Sequence, residues 1–118
     1  MRPTVLMIDD HDGFRSRARA MLEAEGFDVV GEAGDGESGL AAAVALRPDV
    51  ALVDIGLPGI DGFDVAARLR ADRSATRIVL ISGRDRVDYG GRVEDSAADG
   101  FIAKAELSGE RLQAILRP

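Results

Sequence analysis

Five short apolar runs, separated by segments with helical spacing, restrict the fold of this 118-residue chain more than any other feature. The runs cover residues 4–8, 27–30, 50–53, 78–81 and 101–103, and only the second is interrupted by a charged residue, Asp28. Continuous apolar runs of this length are typical of strands that are buried on both faces. Because the strands alternate with helices, the pattern predicts an α/β fold in which helices cover both faces of a parallel sheet.

Capping and stop residues set the expected helix boundaries. We expect a first helix that ends near Gly26, a second over residues 36–46, a third from Asp61 to Arg70 and a last one after Ser108. The apolar residues available for the inner face of the third helix are Phe63, Ala66, Ala67 and Leu69. Together with the five runs, these boundaries describe one domain over residues 1–118.

The segment from Arg84 to Asp99 should hold a further helix, the fourth of five, because the alternation requires one. Gly90 and Gly91 lie in its middle. Each glycine costs roughly 1 kcal/mol relative to alanine in a helix interior. We therefore predict that the fourth helix is short or irregular.

Composition and charge exclude several classes of function. The formal net charge of −6 makes nucleic acid a poor partner for this chain, because neutralising phosphates requires a basic patch. The absence of cysteine excludes disulfides, thiolate metal sites and cysteine nucleophiles. No apolar stretch could span a bilayer, and residues 1–3 lead into a strand rather than a signal peptide. We expect a cytoplasmic protein that has no membrane contact.

Polar residues follow four of the five runs. They are Asp9-Asp10, Asp54, Ser82 and Lys104, the only lysine beside fourteen arginines. Ligands of parallel sheets bind beyond the carboxyl ends of the strands, where the strand order reverses. In the order 2-1-3-4-5, which is common for such sheets, Asp9-Asp10 and Asp54 would face each other at that reversal. The pattern therefore indicates one site.

The three carboxylates indicate a magnesium site. Carboxylates brought together repel one another, and a hard divalent cation with oxygen ligands removes the conflict. We expect Asp10 and Asp54 to be direct ligands of Mg²⁺ and Asp9 to bind directly or through water. The backbone carbonyl of Gly56 could supply another oxygen.

The remaining polar groups suit phosphoryl transfer to an aspartate. A carboxylate can be the nucleophile and form an acyl phosphate, and Asp54 stands alone at the end of the central strand. Lys104 can offset the charge of the phosphoryl group, and Ser82 can donate a hydrogen bond to it. Gly83 would leave room for the phosphoryl donor.

Each residue also has an ordinary structural explanation. Asp9-Asp10 could cap a turn, Asp54 could begin a loop and Ser82 could simply end a strand. Lys104 could be a solvated surface residue, and we expect the single histidine, His11, to be an exposed turn residue rather than a base. The site interpretation depends on the combination of these groups at successive strand ends.

Four segments resemble the receiver domain of bacterial two-component response regulators. They are "VLMIDDHDGFR", "VALVDIGLPGIDGFDVAARLR", "IVLISG" and "ADGFIAKAEL", and the likeness covers essentially the whole chain. The local sequence is most similar to receivers of LuxR- and NarL-type regulators, which often carry a helix-turn-helix output domain. The resemblance implies a flavodoxin-like, doubly wound five-stranded sheet with the order 2-1-3-4-5.

The resemblance also implies a role for each site residue. Asp54 would accept a phosphoryl group from a sensor histidine kinase or phosphotransfer protein, with Mg²⁺ held by Asp9 and Asp10. Ser82 and Lys104 would bind the phosphoryl group. Phe101 would change rotamer together with Ser82 and repack the face formed by helix four, strand five and helix five.

That face would then act on a downstream protein or an output domain, and homodimerisation through it is possible. The chain would catalyse only its own phosphorylation and dephosphorylation, so we do not expect an enzyme. Ala105 stands where many relatives have proline, so the cis peptide found there in relatives is not expected.

Other functions remain open at this stage. The chain could be the receiver half of a truncated DNA-binding regulator, or a pseudo-receiver that binds proteins constitutively. A haloacid-dehalogenase-type phosphatase would require an aspartate where this chain has Gly56. A flavodoxin-like cofactor binder would require a phosphate-binding loop after the first strand, where Asp9-Asp10 lies.

Overall fold

The computed structural model describes residues 2–117, which form a five-stranded parallel sheet with helices on both faces. The strands are β1 (Thr4–Ile8), β2 (Asp28–Ala33), β3 (Val50–Asp54), β4 (Arg77–Ser82) and β5 (Gly100–Ala103). The α-helices are α1 (Asp12–Ala24), α2 (Gly36–Leu46), α3 (Gly62–Ala71) and α4 (Gly109–Leu116). The strand order is β2-β1-β3-β4-β5, which confirms the predicted order 2-1-3-4-5.

The sheet separates two hydrophobic cores. Alternate strand residues such as Val5 and Met7 point to the core that contains Leu22 of α1 and Leu112 of α4. The intervening strand residues point to the core covered by α2 and α3. Every residue of β3 is buried, because this central strand has a neighbour on each side and a core on each face. Burial on both faces explains the continuous apolar runs.

Side-chain caps fix the starts of α3 and α4. Asp61 Oδ1 accepts the backbone N–H of Asp64, and Asp64 Oδ2 accepts the N–H of Asp61, which completes a capping box before α3. Ser108 Oγ likewise accepts the N–H of Arg111 before α4. Both caps agree with the sequence prediction. Within α3, however, Ala67 is exposed and Val65 is buried instead, so the expectation for Ala67 was wrong.

The second strand is longer than predicted. It extends to Ala33, well past the apolar run at residues 27–30. Gly31, Glu32 and Ala33 pair with the end of β1 but are not buried, because β2 is an edge strand. An edge strand that is partly exposed needs no continuous apolar run, so its second half carried no signal in the sequence.

The fourth helix is short and irregular, as predicted, and is a 3-10 turn rather than an α-helix. The chain forms a 3-10 turn over Arg86–Tyr89 and then irregular turns up to β5, so the described residues contain four α-helices rather than five. Gly90 ends the 3-10 turn with a φ of 57°, a conformation that glycine adopts without strain. The glycine pair thus has the effect expected from its helix propensity.

Two further expectations concern the backbone and the membrane. No cis peptide bond occurs among residues 2–117, in agreement with the alanine that follows Lys104. Within the same residues, no helix combines the length and the apolar character needed to cross a membrane.

Gly62 at the start of α3 is pressed against the backbone of β3. A Cβ at this position would lie 2.5 Å from the carbonyl oxygen of Asp54 and 2.8 Å from Cα of Ile55. We expect Gly62→Ala to lower the free energy of unfolding by about 1–3 kcal/mol, because backbone atoms cannot move aside as a side chain can. Urea unfolding followed by circular dichroism would measure it.

The matched control is Gly13→Ala in α1, where a Cβ meets only the end of the Arg17 side chain at 3.2 Å. This variant should be up to about 1 kcal/mol more stable than wild type, because alanine has the higher helix propensity. Equal effects of the two substitutions would contradict the close approach of Gly62.

Candidate functional site

The candidate site lies at the carboxyl ends of β1 and β3. Ile8 pairs with Val53, so the residues that follow, Asp9 and Asp54, are brought side by side. The Asp9 residue is fully buried and Asp54 is 5% exposed, whereas the side chain of Asp10 is 35% exposed. We call Asp9, Asp10 and Asp54 the carboxylate cluster.

His11 contacts all three members of the carboxylate cluster. Its Nδ1 lies 3.1 Å from Asp9 Oδ1, 3.2 Å from Asp10 Oδ1 and 3.9 Å from Asp54 Oδ2. Its backbone N–H also donates to Asp9 Oδ1 at 2.8 Å, which orders the start of α1. The side chain is 65% exposed, as predicted, but sequence reasoning missed its contacts with the carboxylates. The position of His11 directly after Asp9-Asp10 was the sequence feature that could have predicted these contacts.

Lys104 follows β5, which is separated from β3 by one strand, and its side chain reaches the carboxylate cluster. Ser82 and Ala103 are the last residues of β4 and β5 and pair with each other, so Lys104 lies just beyond the carboxyl end of β5. Its Nζ lies 2.6 Å from Asp9 Oδ2 and 3.5 Å from Asp54 Oδ2, and the side chain is only 15% exposed. Its Nζ also lies 4.5 Å from the centroid of the Phe14 ring, which flanks the ammonium group. Lys104 is therefore a site residue and not a solvated surface lysine.

Negative charge remains incompletely balanced in the cluster. Burial raises the pKa of Asp54 above its ordinary value, and the neighbouring Asp9 carboxylate raises it further. The ammonium group of Lys104 and the backbone N–H of Gly56 act in the opposite direction without overcoming these effects. Asp54 is thus a carboxylate whose charged form gains from an additional cation.

The donor set fits a hard divalent cation. One ligand atom from each of Asp9, Asp10, His11 and Asp54 lies within 4.8 Å of the others. Asp9 Oδ2 is buried and receives no directed hydrogen bond, although Lys104 lies close to it. Carboxylate oxygens are the ligands that Mg²⁺ prefers, and the three charges exceed what one lysine offsets. The acidic pocket therefore has the chemistry of a magnesium site.

Gly56 and Gly83 border the cluster. The backbone N–H of Gly56 donates to Asp54 Oδ1 at 3.2 Å and so fixes the orientation of that carboxylate. The coordination of a metal by the Gly56 carbonyl stays a prediction. At Gly83 a Cβ would meet no atom within 4 Å, so there is open space beside the end of β4.

Ser82 ends β4, the strand next to the one that carries Asp54, and is 3% exposed. Its Oγ accepts the backbone N–H of Arg84 at 2.9 Å and shares a hydrogen bond with the hydroxyl group of Tyr89. Among the described residues, no hydrogen bond joins Ser82 to the carboxylate cluster or to Lys104. The Ser82 hydroxyl group therefore lies at the end of a strand next to Asp54, but its hydrogen bonds go to Arg84 and Tyr89.

Phe101 belongs to a group of rings that we call the aromatic row: Phe63, Tyr89 and Phe101. The Tyr89 ring packs edge-on against Phe63 at a centroid separation of 6.0 Å and against Phe101 at 6.3 Å. The Arg92 guanidinium lies 4.3 Å from the centroid of the Phe63 ring and covers the end of the row. The link from Phe101 to Ser82 through Tyr89 was not foreseen, because the 3-10 turn that positions Tyr89 has no sequence pattern.

Comparison with known proteins gives one consistent result. The family model described as "Response regulator receiver domain" matches residues 5–117. The transcriptional regulatory protein NarL from Mycobacterium tuberculosis is 39% identical over 95% of this chain and 52% of its own length. The transcription regulator BvgA from Bordetella pertussis is 37% identical over 93% of this chain and 53% of its own length.

A solved structure shows the same similarity in three dimensions. The signal receiver domain of NarL from Mycobacterium tuberculosis superimposes with a TM-score of 0.86 at 38% identity. The match covers 98% of this chain and 94% of that domain. The chain thus spans about half the length of the curated relatives that it matches, and nearly all of a solved domain.

Proposed function

Because the chain belongs to the response regulator receiver domain family of two-component systems, we propose that it is a phosphorylation-dependent signalling module with Asp54 as the phosphoacceptor. The observation that carries this proposal is the position of Asp54. It is a nearly buried carboxylate at the end of the central strand, 3.5 Å from the ammonium group of Lys104 and beside two further aspartates.

The proposed reaction is an in-line displacement at phosphorus. An oxygen of the Asp54 carboxylate forms the new bond to phosphorus. The bond that breaks joins phosphorus to a nitrogen of the donor phosphohistidine, which keeps the electron pair. Lys104 offsets negative charge on the transferred group, and the Gly56 N–H holds the carboxylate in place. The open space beside Gly83 admits the donor.

Mg²⁺ is the metal that we propose for the acidic pocket. Asp10 and Asp54 would hold it directly and Asp9 directly or through water, with the Gly56 carbonyl as a further oxygen ligand. When bound, the metal supplies positive charge that balances both the carboxylates and the phosphoryl oxygens. The remaining positive charge comes from Lys104, whose ammonium group lies beside Asp9 and Asp54.

The proposed output is a change in surface shape. Ser82 donates a hydrogen bond to the phosphoryl group, and Phe101 follows by repacking within the aromatic row. The face formed by the Arg86–Tyr89 turn, β5 and α4 then changes its affinity for a downstream protein or an output domain. The donor is a sensor histidine kinase or phosphotransfer protein, and the chain has no further enzyme activity under this proposal.

Intact-mass spectrometry after incubation with acetyl phosphate tests the proposal. We expect one phosphoryl adduct that forms only with Mg²⁺. Asp10→Asn should slow its formation at limiting Mg²⁺ by about tenfold or more, because the metal loses a charged ligand. Asp12→Asn is the matched control, since Asp12 is two residues away and 90% exposed; it should react at the wild-type rate. A folded wild-type protein that forms no adduct would refute the phosphoacceptor role.

A further inference from the structure

The Ser82 hydroxyl group is engaged by two partners that do not belong to the carboxylate cluster. It accepts the backbone N–H of Arg84 and shares a hydrogen bond with the Tyr89 hydroxyl group. A serine hydroxyl group has one proton to donate and two acceptor positions. Either hydroxyl group can donate in the Ser82–Tyr89 bond; when Ser82 is the donor, a phosphoryl group on Asp54 competes with Tyr89 for that proton.

Tyr89 is held in place by several contacts. Its ring is half-buried and packs between Phe63 and Phe101. In the 3-10 turn that carries it, Asp88 Oδ2 accepts the backbone N–H of Asp85 at 3.2 Å, and the backbone N–H of Asp88 donates to the carbonyl oxygen of Asp85 at 3.0 Å. The Tyr89 hydroxyl group is therefore directed at Ser82 by packing and backbone structure and does not depend on the Ser82 bond alone.

We propose that Tyr89 is a positioning residue that holds the Ser82 hydroxyl group away from Asp54 in the unphosphorylated protein. This inference rests on the proposed function, because it requires a phosphoryl group on Asp54. In this proposal the Ser82 hydroxyl group turns about χ1 toward the phosphoryl group and gives up its bond to Tyr89. Phosphorylation thus breaks the Ser82–Tyr89 bond and frees the middle ring of the aromatic row.

Tyr89→Phe removes the hydroxyl group and keeps the ring. We expect acetyl phosphate and Mg²⁺ to phosphorylate this variant about two- to tenfold faster than wild type, the range that corresponds to the net contribution of one hydrogen bond. Thr76→Val is the control, because it also removes one hydroxyl hydrogen bond, the one from Thr76 to the carbonyl oxygen of Pro48 at the opposite end of β4; its rate should stay within about twofold of wild type, because distant substitutions act independently.

Tyrosine fluorescence can report the breaking of the Ser82–Tyr89 bond. Tyr89 is the only tyrosine and the sequence contains no tryptophan, so tyrosine emission reports on this residue alone. We expect the emission of the wild-type protein to change in step with the phosphoryl adduct measured by mass spectrometry, and to return when the adduct hydrolyses. Asp54→Asn under the same conditions should show no change.

The outcomes separate this inference from the proposed function. If the adduct forms but tyrosine emission stays constant, or if Tyr89→Phe reacts at or below the wild-type rate, Tyr89 does not restrain Ser82 and the phosphoacceptor role stands. Equal acceleration by Thr76→Val would assign the effect to a general loosening of the fold and overturn the inference as well. If the wild-type protein forms no adduct, the proposed function fails and the inference fails with it.

Discussion

Asp54→Asn is expected to abolish the phosphoryl adduct while making the unphosphorylated protein more stable. The amide group is nearly the same size as the carboxylate but is not a nucleophile of the required kind, so no acyl phosphate can form. The same substitution removes one of three crowded negative charges from a nearly buried position. Activity and stability should therefore move in opposite directions.

The sign of the stability effect follows from the raised pKa of Asp54. An acid whose pKa is higher in the folded protein than in the unfolded chain binds its proton more tightly when folded. Its favourable contribution is present below the ordinary pKa of aspartate, about 3.9, and is lost as the pH rises through the raised value. At neutral pH the charged Asp54 thus destabilises the folded protein, and asparagine should not.

Thermal unfolding at neutral pH, without Mg²⁺, should give a higher Tm for Asp54→Asn than for wild type. The difference should shrink as the pH is lowered toward the ordinary range of aspartate. Mass spectrometry of the same samples should detect no adduct on the variant. An adduct that persists on Asp54→Asn would move the phosphoacceptor to another residue.

Lys104→Met should have the second large effect. Methionine fills a similar volume but removes the ammonium group of the single lysine, which lies near Asp9 and Asp54. Phosphorylation by acetyl phosphate should slow by about 100-fold or more, the scale typical of losing one preorganised group that stabilises charge in a transition state. Quantitative intact-mass time courses with Mg²⁺ would measure this rate.

The same variant should also be less stable. Asp9 is fully buried, and without Lys104 its carboxylate loses its closest counter-charge. Removing one partner of a buried pair lowers the free energy of unfolding by about 3 kcal/mol. Arg111→Met is a suitable control, because Arg111 pairs with Glu106 on the surface and should contribute less than about 1 kcal/mol. If Lys104→Met reacts at the wild-type rate, the lysine is only a structural residue.

The sequence was sufficient to predict the sheet and to select the strand-end residues. Continuous apolar runs marked the strands because burial on both faces leaves no room for alternation, and the polar residue after each run marked its carboxyl end. Asp9, Asp54 and Lys104 are brought together simply because their strands end at the same edge. The caps at Asp61 and Ser108 could also be predicted, because a helix cap depends on residues that are close in sequence.

What the sequence did not reveal depends on contacts between distant segments or on partial exposure. The second half of β2 lies at the sheet edge and has no apolar run. The Ser82–Tyr89 bond depends on the path of the backbone through a 3-10 turn. Helix propensities predicted that this segment would not form a regular helix, but they could not predict that path. His11 was correctly predicted to be exposed, but its contacts with the three carboxylates depend on how the chain passes from β1 into α1.

The two cores on opposite faces of the sheet have a consequence for how such a module can diversify. The aromatic row packs on the core beneath α2 and α3, whereas Phe14, which flanks Lys104, packs on the core beneath α1 and α4. Residues on one face can be replaced with little disturbance to packing on the other, because distant substitutions are largely additive. The packing around the aromatic row and the packing around Phe14 can therefore diverge independently within one small domain.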